Sequence, residues 1–296
     1  MARVLCAGLI AADLVFDMPS FPVEGDKHRA RASHLIGGGG ALNAACAIAA
    51  LGGEVSLAGA VGADVFGIFL RQKMHDRGID DTLVRDVPGV TTSRSTILLS
   101  AGGERTIINH REAALMQGDV EVPETFSHDA MLVDTRWPQG VVKIAQMARR
   151  AGKPVVVDGE APVKLAMQVL KTASHIVFSQ QGLKDFAGSY DADALQSVAT
   201  DLGVWCAVTR GALPTVCCVG EGIMEIPVPA VEAKNTLGAG DAWHGAFTLA
   251  LAKGYAELQA VRWANAAASH KVRFAIETET FASTAQTDAL MAQMRD

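Results

Sequence analysis

The stretch that decides the fold is residues 234–247, KNTLGAGDAWHGAF. Its small residues are followed by apolar residues at helical spacing, so the pattern predicts a helix with one buried face. The apolar positions are Trp243, Ala246, Phe247, Ala250 and Leu251. Glycines directly before a helix let its free N–H groups converge on an anion, and the positive end of the helix dipole favours negative charge there. The stretch therefore predicts a phosphate-binding turn.

Asp241 lies in the first turn of this helix, roughly opposite the apolar face. A carboxylate beside a bound phosphate can accept the proton of a hydroxyl that attacks the phosphorus, and such general bases contribute roughly 10² to 10⁴ in rate. The residues alone leave an alternative open, in which Asp241 only caps the helix and the glycines only form a turn.

Short apolar runs alternate with helix-like segments along the rest of the chain. The runs are residues 4–10, 55–61, 131–134, 155–158, 176–178 and 204–208, and the helix-like segments are 65–77, 140–151, 163–171 and 194–202. This alternation predicts an α/β fold with a central, mostly parallel sheet flanked by helices. Ligands of such sheets bind outside the carboxyl ends of the strands.

Two segments break the alternation and predict a small β-strand lid. Residues 13–35 are polar and alternating, and residues 93–111 hold two β-like runs joined by a hairpin turn pattern, Ala101-Gly102-Gly103-Glu104. We expect these strands to cover the strand ends of the main sheet, within one α/β domain that spans residues 1–296. Exposed apolar side chains on the lid predict that two copies of the chain pair there as a homodimer.

Composition and charge exclude several classes of protein. With 49% hydrophobic and 20% charged residues, the 296-residue chain can bury a large core and is not disordered as a whole. Its net charge is −6 and it has no long basic run, so we expect no nucleic-acid partner.

Neither of the two longest apolar stretches has the pattern of a membrane span. Asp13 directly follows the stretch 4–12, which predicts a first strand, and the stretch 35–53 begins with a glycine loop and carries Asn43. The five cysteines have no metal-ligand spacing and lie in apolar surroundings, as buried thiols do in a reducing compartment. The sequence therefore predicts a cytoplasmic protein that does not cross a membrane.

Residues 235–247 resemble the second signature of the ribokinase or PfkB-type sugar kinases, and the likeness spans nearly the whole chain. The resemblance implies a ribokinase-like fold and transfer of the ATP γ-phosphoryl group to a sugar, with Mg²⁺ as a cofactor and a monovalent cation left open. It also implies that Gly238, Ala239 and Gly240 form the anion hole and that Asp241 is the catalytic base. Asn235 stands where many members have Asp.

A second match lies about 200 residues earlier. Residues 39–45, GGALNAA, are followed at the expected intervals by Gly52 and Gly62, and they are similar to the first signature of the same family. The resemblance assigns Gly39, Gly40 and Asn43 to the sugar site. Asp13 matches the aspartate that binds sugar hydroxyls in this family.

The nucleotide side is marked by weaker matches. Thr209 and Gly211 look like part of the family's ATP loop, with Gly238 and Gly240 on its phosphate side, and Asn265 falls on the late helix that borders the adenine. The family's N-x-x-E motif, which helps to place magnesium and phosphate, is replaced by residues 179–182, SQQG. We therefore expect Mg²⁺ to be bound mainly by ATP oxygens, since this ion keeps several waters. The chain has neither a P-loop nor a complete dinucleotide fingerprint, which makes a nicotinamide-dependent oxidoreductase a distant alternative.

Three polar residues bear on which sugar is bound. Lys27, Asn109 and Arg136 together look like the residues that clasp the sulfonate in the sulfofructose kinases, whose near relatives are the ketohexokinases. The resemblance predicts phosphorylation of sulfofructose (6-deoxy-6-sulfofructose) to its 1-phosphate. The residues alone leave Lys27 open as part of a solvated basic face. A neutral ketose such as fructose, a ribose-like sugar, and a non-catalytic sugar-binding protein on the same fold are the alternatives.

Overall fold

The computed structural model describes residues 1–100, 104–120 and 124–293. Its strands are β1 Arg3–Ala7, β2 Ala11–Met18, β3 Ala32–Gly38, β4 Glu54–Gly62, β5 Asp80–Val87, β6 Arg94–Ser100, β7 Arg105–His110, β8 Ala130–Val133, β9 Val155–Gly159, β10 His175–Ser179, β11 Trp205–Arg210, β12 Leu213–Val219 and β13 Gly222–Ile226. Its α-helices are α1 Gly40–Ala50, α2 Val65–Asp76, α3 Pro138–Arg150, α4 Met167–Leu170, α5 Gln180–Ala187, α6 Ala192–Leu202, α7 Ala239–Ala252, α8 Glu257–Lys271 and α9 Thr284–Ala292.

The main sheet has nine strands in the order β13-β12-β11-β10-β9-β8-β1-β4-β5. All neighbouring pairs from β11 to β5 are parallel, whereas β12 pairs antiparallel with both β11 and β13 at one edge. The predicted mostly parallel α/β sheet is therefore confirmed.

Helices bury both faces of this sheet. One hydrophobic cluster includes residues of α1, α7 and α8, and a second includes residues of α3, α5 and α6. Successive side chains of β1 pack on opposite faces of the sheet, because Val4 and Cys6 belong to the first cluster and Leu5 to the second. Burial on both faces explains why the strands are continuous apolar runs in the sequence.

All five cysteines are buried as free thiols, as expected from their apolar surroundings. Burial raises the pKa of Cys46 and of Cys218 to about 11, which leaves both thiols protonated and unreactive at neutral pH. No helix within the described ranges is long and apolar enough to cross a bilayer.

The predicted lid is a separate sheet of four strands in the order β3-β2-β6-β7. Strands β2 and β3 lie within the predicted segment 13–35 and its immediate flanks, and β6 and β7 lie within 93–111. Residues 101–103 of the predicted hairpin turn lie outside the described residues, but β6 and β7 on either side of them pair antiparallel. The extent of the domain over residues 1–296 stays a prediction.

Strand register in the lid places polar side chains that were predicted for the site in one row across the four strands. Ile36, Asp13, Ser95 and Asn109 are successive partners across β3, β2, β6 and β7. Partners in register share a face of the sheet. Apolar residues of this same face form a small cluster with Ile276 of the main body, so the row faces the body of the protein.

Candidate active site

The site lies at the carboxyl ends of the parallel strands, where open α/β sheets bind their ligands. Asp134 directly follows β8, Asp158 lies one residue from the end of β9, and Ser179 ends β10. Helix α7 begins at the same edge and packs on α1, β1, β8 and β9. The topology thus brings polar side chains from distant parts of the sequence to the start of one helix.

The start of α7 has the geometry of an anion-binding turn. Gly238 is the N-cap residue with φ 70°, a left-handed conformation that favours glycine, and no side chain caps the helix. The N–H group of Ala239 donates to the carbonyl of Thr236 at 3.3 Å, which is a weak bond. The N–H groups of Gly240 and Asp241 have no backbone acceptor among the described loop and turn hydrogen bonds. These two N–H groups are therefore free donors in the first turn of α7.

Asp241 is held by Asn43, which lies 198 residues earlier in the chain. The side-chain amide of Asn43 donates to Asp241 Oδ2 at 2.7 Å, so the two sequence signatures meet in one hydrogen bond. The alternative in which Asp241 only caps the helix is not what the structure shows, because Gly238 occupies the N-cap and the carboxylate bonds Asn43 instead. One carboxylate oxygen is anchored and the other is left for a ligand.

Three carboxylates converge on Gly40, the first residue of α1. A β-carbon placed on Gly40 would lie 3.6 Å from oxygens of both Asp134 and Asp241 and 3.7 Å from an oxygen of Asp158. The preceding Gly39 has φ 91°, and a β-carbon there would lie 2.3 Å from the carbonyl oxygen of Leu9. Only glycine therefore fits at position 39, and the bare backbone lets α1 begin directly beside the carboxylates.

Burial and mutual repulsion raise the pKa values of the acidic groups of this site. Burial raises the pKa of Asp134, although its carboxylate accepts hydrogen bonds from the N–H groups of Leu9 at 2.7 Å and Arg136 at 2.9 Å. Burial raises the pKa of Asp158 to about 7, and nearby carboxylates add to the rise while His244 opposes it. The Asp158 carboxyl therefore gains and loses its proton near neutral pH.

The Asp158→Asn variant is expected to change how stability depends on pH. The pKa of Asp158 is about 7 in the folded protein, whereas an unfolded aspartate has a pKa of about 3.9. The folded state therefore binds the extra proton between these values, and the stability gained below pH 4 is lost as the pH rises to 7. Since Asn does not titrate, the stability of the variant relative to the wild type should rise by about 2 to 4 kcal/mol over this range.

Urea unfolding of both proteins at pH 4, 5.5 and 7 measures this difference. Asp191 is a matched control, because hydrogen bonds at a helix start lower its pKa, so it stays ionised in the folded protein at all three pH values and its replacement by Asn should leave the stability difference nearly constant. A stability difference for Asp158→Asn that stays constant or falls with pH would show that the Asp158 proton is not bound as described.

Asp13 is buried in the row that crosses the lid. Its side chain is 8% exposed and packs so closely on Gly38 that a β-carbon at that glycine would lie 2.1 Å from the carboxylate. Burial raises the pKa of Asp13, and the Ser95 hydroxyl and the Arg111 guanidinium oppose the rise. The charge of Asp241 also raises the pKa of Asp13. The structure therefore brings together Asp13, predicted to bind the sugar, and Asp241, predicted to be the base.

Two guanidinium groups lie at the open side of this site. Burial lowers the pKa of Arg111, the charge of Arg136 lowers it further, and Asp134 and Asp13 oppose that shift. Neither arginine forms an ion pair with a carboxylate in the described part of the chain. Arg136 was predicted from the sequence, whereas Arg111 was missed. Arg111 follows directly after the end of β7, and no motif in the local sequence marks it.

The structure does not place Lys27 in this row. Lys27 is exposed in the loop 19–31 between β2 and β3. That loop leaves β2 after Met18, about 17 Å along the strand from Asp13 at 3.3 Å per residue. The structure therefore brings Asn109 and Arg136 to the side of the site where Asp13 lies, whereas the loop that carries Lys27 begins and ends at the other end of the lid.

The residues predicted for the nucleotide lie at the carboxyl end of β11. Thr209 is paired with Ser179 across β11 and β10, and Gly211 makes the turn into β12 with φ 64°. Asn265 is 1% exposed and its amide is fully used within the protein: Oδ1 accepts from Thr215 and Trp243, and Nδ2 donates to the carbonyls of Ile226 and Pro227. This geometry favours a role in joining α8 to α7, β12 and β13 over a direct hydrogen bond to adenine.

The absence of the N-x-x-E motif has a packing reason. Ser179 caps α5 by accepting a hydrogen bond from the N–H group of Gly182 at 2.9 Å. A β-carbon at Gly182 would lie 1.7 Å from the carbonyl oxygen of Gly159, so no glutamate fits at this position. The described residues contain no cluster of three or more side chains suited to hold a metal ion. The protein groups that the family motif supplies for magnesium therefore do not fit this chain.

Comparison with known proteins agrees with this geometry. The family model of the pfkB family carbohydrate kinases matches residues 1–274. The chain belongs to the pfkB family of carbohydrate kinases. It is therefore a phosphotransferase that acts on a carbohydrate, and the predicted enzyme class is confirmed.

Solved structures of this family share the fold. The crystal structure of an Agrobacterium tumefaciens protein, provisionally described as a ribokinase, has a TM-score of 0.91 and 30% identity over 99% of this chain and 98% of its own. Arabidopsis thaliana ribokinase, complexed with ribose and ATP, has a TM-score of 0.81 and 22% identity over 98% of both chains. The predicted ribokinase-like fold is thus confirmed.

A curated relative shows how much of a longer protein this kinase spans. The bifunctional protein HldE of Caulobacter sp. is 31% identical over 253 residues, which are 78% of this chain and 50% of HldE. The chain thus corresponds to about half of that relative.

Proposed function

We propose that this pfkB family kinase transfers the γ-phosphoryl group of ATP to a primary hydroxyl of a ketose. The observation that carries the proposal is the Asn43–Asp241 hydrogen bond beside the free N–H groups of Gly240 and Asp241. A fixed carboxylate next to unpaired donors at a helix start is what an in-line phosphoryl transfer requires.

In this reaction the Asp241 carboxylate accepts the proton of the sugar hydroxyl. The hydroxyl oxygen forms a bond to the γ-phosphorus while the bond between that phosphorus and the bridging oxygen breaks, and ADP leaves with the electron pair. The N–H groups of Gly240 and Asp241 stabilise the charge that develops on the transferred group, because they point to a fixed place and need no reorganisation. The glycine turn, including Gly238 and Ala239, holds these donors in position.

The sugar is oriented by the residues that converge beside α1. Asp13 accepts hydrogen bonds from sugar hydroxyls, and Asn43 fixes the base while its position beside Gly39 and Gly40 limits how deeply the sugar enters. The buried carboxylate of Asp13 supports this assignment, since a buried acceptor gains most from a hydroxyl partner.

ATP is proposed to lie along the carboxyl end of β11, with Thr209 and Gly211 beside it and its terminal phosphate at α7. Asn265 stabilises the packing of α8 on β12 and on the segment after β13, beneath the proposed nucleotide site, through its buried hydrogen bonds. Magnesium, when bound with ATP, neutralises phosphate charge, and its ligands are then mainly phosphate oxygens and water.

The substrate proposed is an acidic ketose, sulfofructose, phosphorylated at its 1-hydroxyl. The support is a pair of guanidinium groups beside the site, because Arg136 and Arg111 lie close enough to repel one another and have no carboxylate partner within ion-pair distance in the described ranges. A charge-assisted hydrogen bond contributes about 1.5 to 3 kcal/mol, which favours an anionic sugar over a neutral one. Asn109 lies in the row that faces the body and adds a neutral donor.

A homodimer through the lid is also proposed. The outer face of the lid carries Leu14, Leu35 and Ile108, which are linked in register through Thr96. Leu35 is 38% exposed and Ile108 is 60% exposed. Pairing of two lids would remove this apolar surface from water, and Lys27 on the adjoining loop would then lie near the contact.

A panel of acceptor sugars tests the substrate class. We expect ADP release with sulfofructose at a kcat/KM at least about 10-fold above those with fructose, fructose 6-phosphate and ribose, because each lost charged contact costs about that factor. A preference for ribose would instead support the ribose-like alternative, in line with the similar ribokinases. A wild-type protein that binds sugars and nucleotide without any turnover would support the non-catalytic alternative.

A further inference from the structure

Glu279 joins three parts of the molecule beside the sugar site. It lies in the segment between α8 and α9, and its side chain is 18% exposed. Its Oε1 atom accepts a hydrogen bond from the N–H group of Gly37 in β3 at 3.0 Å, and its Oε2 atom pairs with the ammonium group of Lys73 in α2. Its carbonyl oxygen accepts from the guanidinium group of Arg77 at 3.1 Å. One residue near the end of the chain thus holds a strand of the lid to a helix of the main body.

The backbone of Glu279 has an unusual conformation. With φ 42° and ψ 40°, it is the only residue other than glycine that has a positive φ in the described part of the chain. A side chain in this left-handed region is strained, and the conformation persists only where surrounding contacts fix it. The contacts with Gly37, Lys73 and Arg77 are the ones that fix it here.

The strand end that Glu279 holds carries part of the sugar site. Gly37 is followed directly by the glycines 38–40, and β3 lies at the edge of the lid with β2 as its strand neighbour. A β-carbon at Gly38 would lie 2.1 Å from the Asp13 carboxylate. A displacement of this strand end would therefore change the space around Asp13.

The segment that carries Glu279 also contacts the anion-binding turn before α7. Ile276 forms an apolar cluster with Ile36 of β3, and Leu237 of the turn packs on that cluster. Glu279 lines the same pocket as Asn43. The segment thus connects the lid strand with the start of α7, where the phosphoryl group is proposed to bind.

We propose that Glu279 is a positioning residue for phosphoryl transfer, which holds the end of β3 and the wall around Asp13 in the geometry that binds the sugar. It acts through the N–H group of Gly37 and not through the reacting atoms. The ion pair with Lys73 keeps the carboxylate directed toward β3. This inference rests on the proposed function.

Calorimetric titration of the full chain with sulfofructose, or with the sugar that the panel prefers, and separately with ADP tests this role. Glu279→Ala removes the acceptor of the Gly37 bond, so the Kd for the sugar should rise about 10-fold while the Kd for ADP changes less than about twofold. Glu279→Gln keeps a side-chain oxygen that can accept from Gly37, and it should keep the sugar affinity within about threefold of the wild type.

Lys73→Met is the matched control, because it breaks the ion pair and leaves the Gly37 bond in place. Its sugar affinity should also stay within about threefold of the wild type. A wild-type affinity in Glu279→Ala would overturn the proposal. An equal loss in the Ala and Gln variants, or in Lys73→Met, would also overturn it, because the ion pair and not the Gly37 bond would then decide the affinity.

Amide hydrogen exchange in the wild-type protein tests the same hydrogen bond without any substitution. We expect the Gly37 amide to exchange at least about 10-fold more slowly than in an unstructured peptide, and more slowly still when the sugar is bound. Fast exchange of Gly37, or no slowing by the sugar, would overturn the proposal. Failure of the proposed function would show instead as full activity of the Asp241→Asn variant, with the Gly37 amide still protected.

Discussion

The Asp241→Asn variant is expected to lose at least about 10²-fold in kcat while its affinity for the sugar stays within about threefold. Asn has the same shape as Asp and its side-chain oxygen can still accept the hydrogen bond that Asn43 donates to Asp241 Oδ2. It cannot take a proton from the attacking hydroxyl. The loss is therefore confined to the transition state, and it appears in kcat rather than in binding.

Asp191→Asn is the control that separates catalysis from helix capping. Asp191 caps α6 by accepting a hydrogen bond from the N–H group of Ala194 at 2.8 Å. Asn is as good an N-cap residue as Asp, so this variant should keep both stability and kcat. Steady-state kinetics gives kcat, and calorimetric titration gives the sugar affinity. If Asp241→Asn turned over as fast as Asp191→Asn, Asp241 would be a structural residue and the proposed base would be wrong.

The Arg136→Ala variant is expected to lose about 10- to 10²-fold in kcat/KM for sulfofructose, with little change for fructose. The side chain of Arg136 has no carboxylate partner within ion-pair distance in the described ranges, so it is free to bind an anionic substituent. Its own N–H group, which bonds Asp134 at 2.9 Å, is part of the backbone and survives the replacement. The variant should thus change specificity without moving the catalytic carboxylates.

Arg150→Ala is the control for general effects of removing a positive charge. Arg150 ends α3 and is exposed, so its replacement should leave both kcat/KM values unchanged. If Arg136→Ala kept the wild-type preference for the acidic sugar, the guanidinium would have no part in recognition. A further Arg111→Ala variant would then show whether that neighbouring charge alone carries the preference.

The sequence alone was sufficient to predict the two glycine motifs that meet at the site. Residues 39–43 and 235–241 were each predictable as motifs because glycines directly before a helix leave its free N–H groups accessible to an anion. Their meeting, through Asn43 and Asp241, follows from the parallel topology, which places the starts of α1 and α7 at the same edge of the sheet. The lid was predictable from its break in the alternation of strands and helices.

The carboxylates of Asp134 and Asp158 show what a motif search overlooks. Both directly follow or end a buried strand, and their positions at the carboxyl ends of β8 and β9 were within reach of the sequence pattern. Their convergence on Gly40 was not, because it depends on how α1 is placed against the sheet. The same holds for Arg111, whose interest lies in its closeness to Arg136 and not in its local sequence.

Long-range packing also explains why some residues have roles that differ from those expected from the sequence. Asn265 has the residue type of a base-binding group, but its amide is hydrogen-bonded to partners on β12, β13 and α7 that no local pattern reveals. Gly182 replaces the expected glutamate because the end of β9 occupies the space where a side chain would lie. Lys27 was assigned by resemblance, and the loop that carries it begins and ends at the end of the lid away from Asp13.

The most direct measurement is a crystal structure of the kinase with a non-hydrolysable ATP analogue and its acceptor sugar. The account predicts that the γ-phosphate accepts hydrogen bonds from the N–H groups of Gly240 and Asp241, and that the primary hydroxyl lies within hydrogen-bond distance of the Asp241 carboxylate. A γ-phosphate bound away from the start of α7, or a hydroxyl that contacts another base, would contradict it.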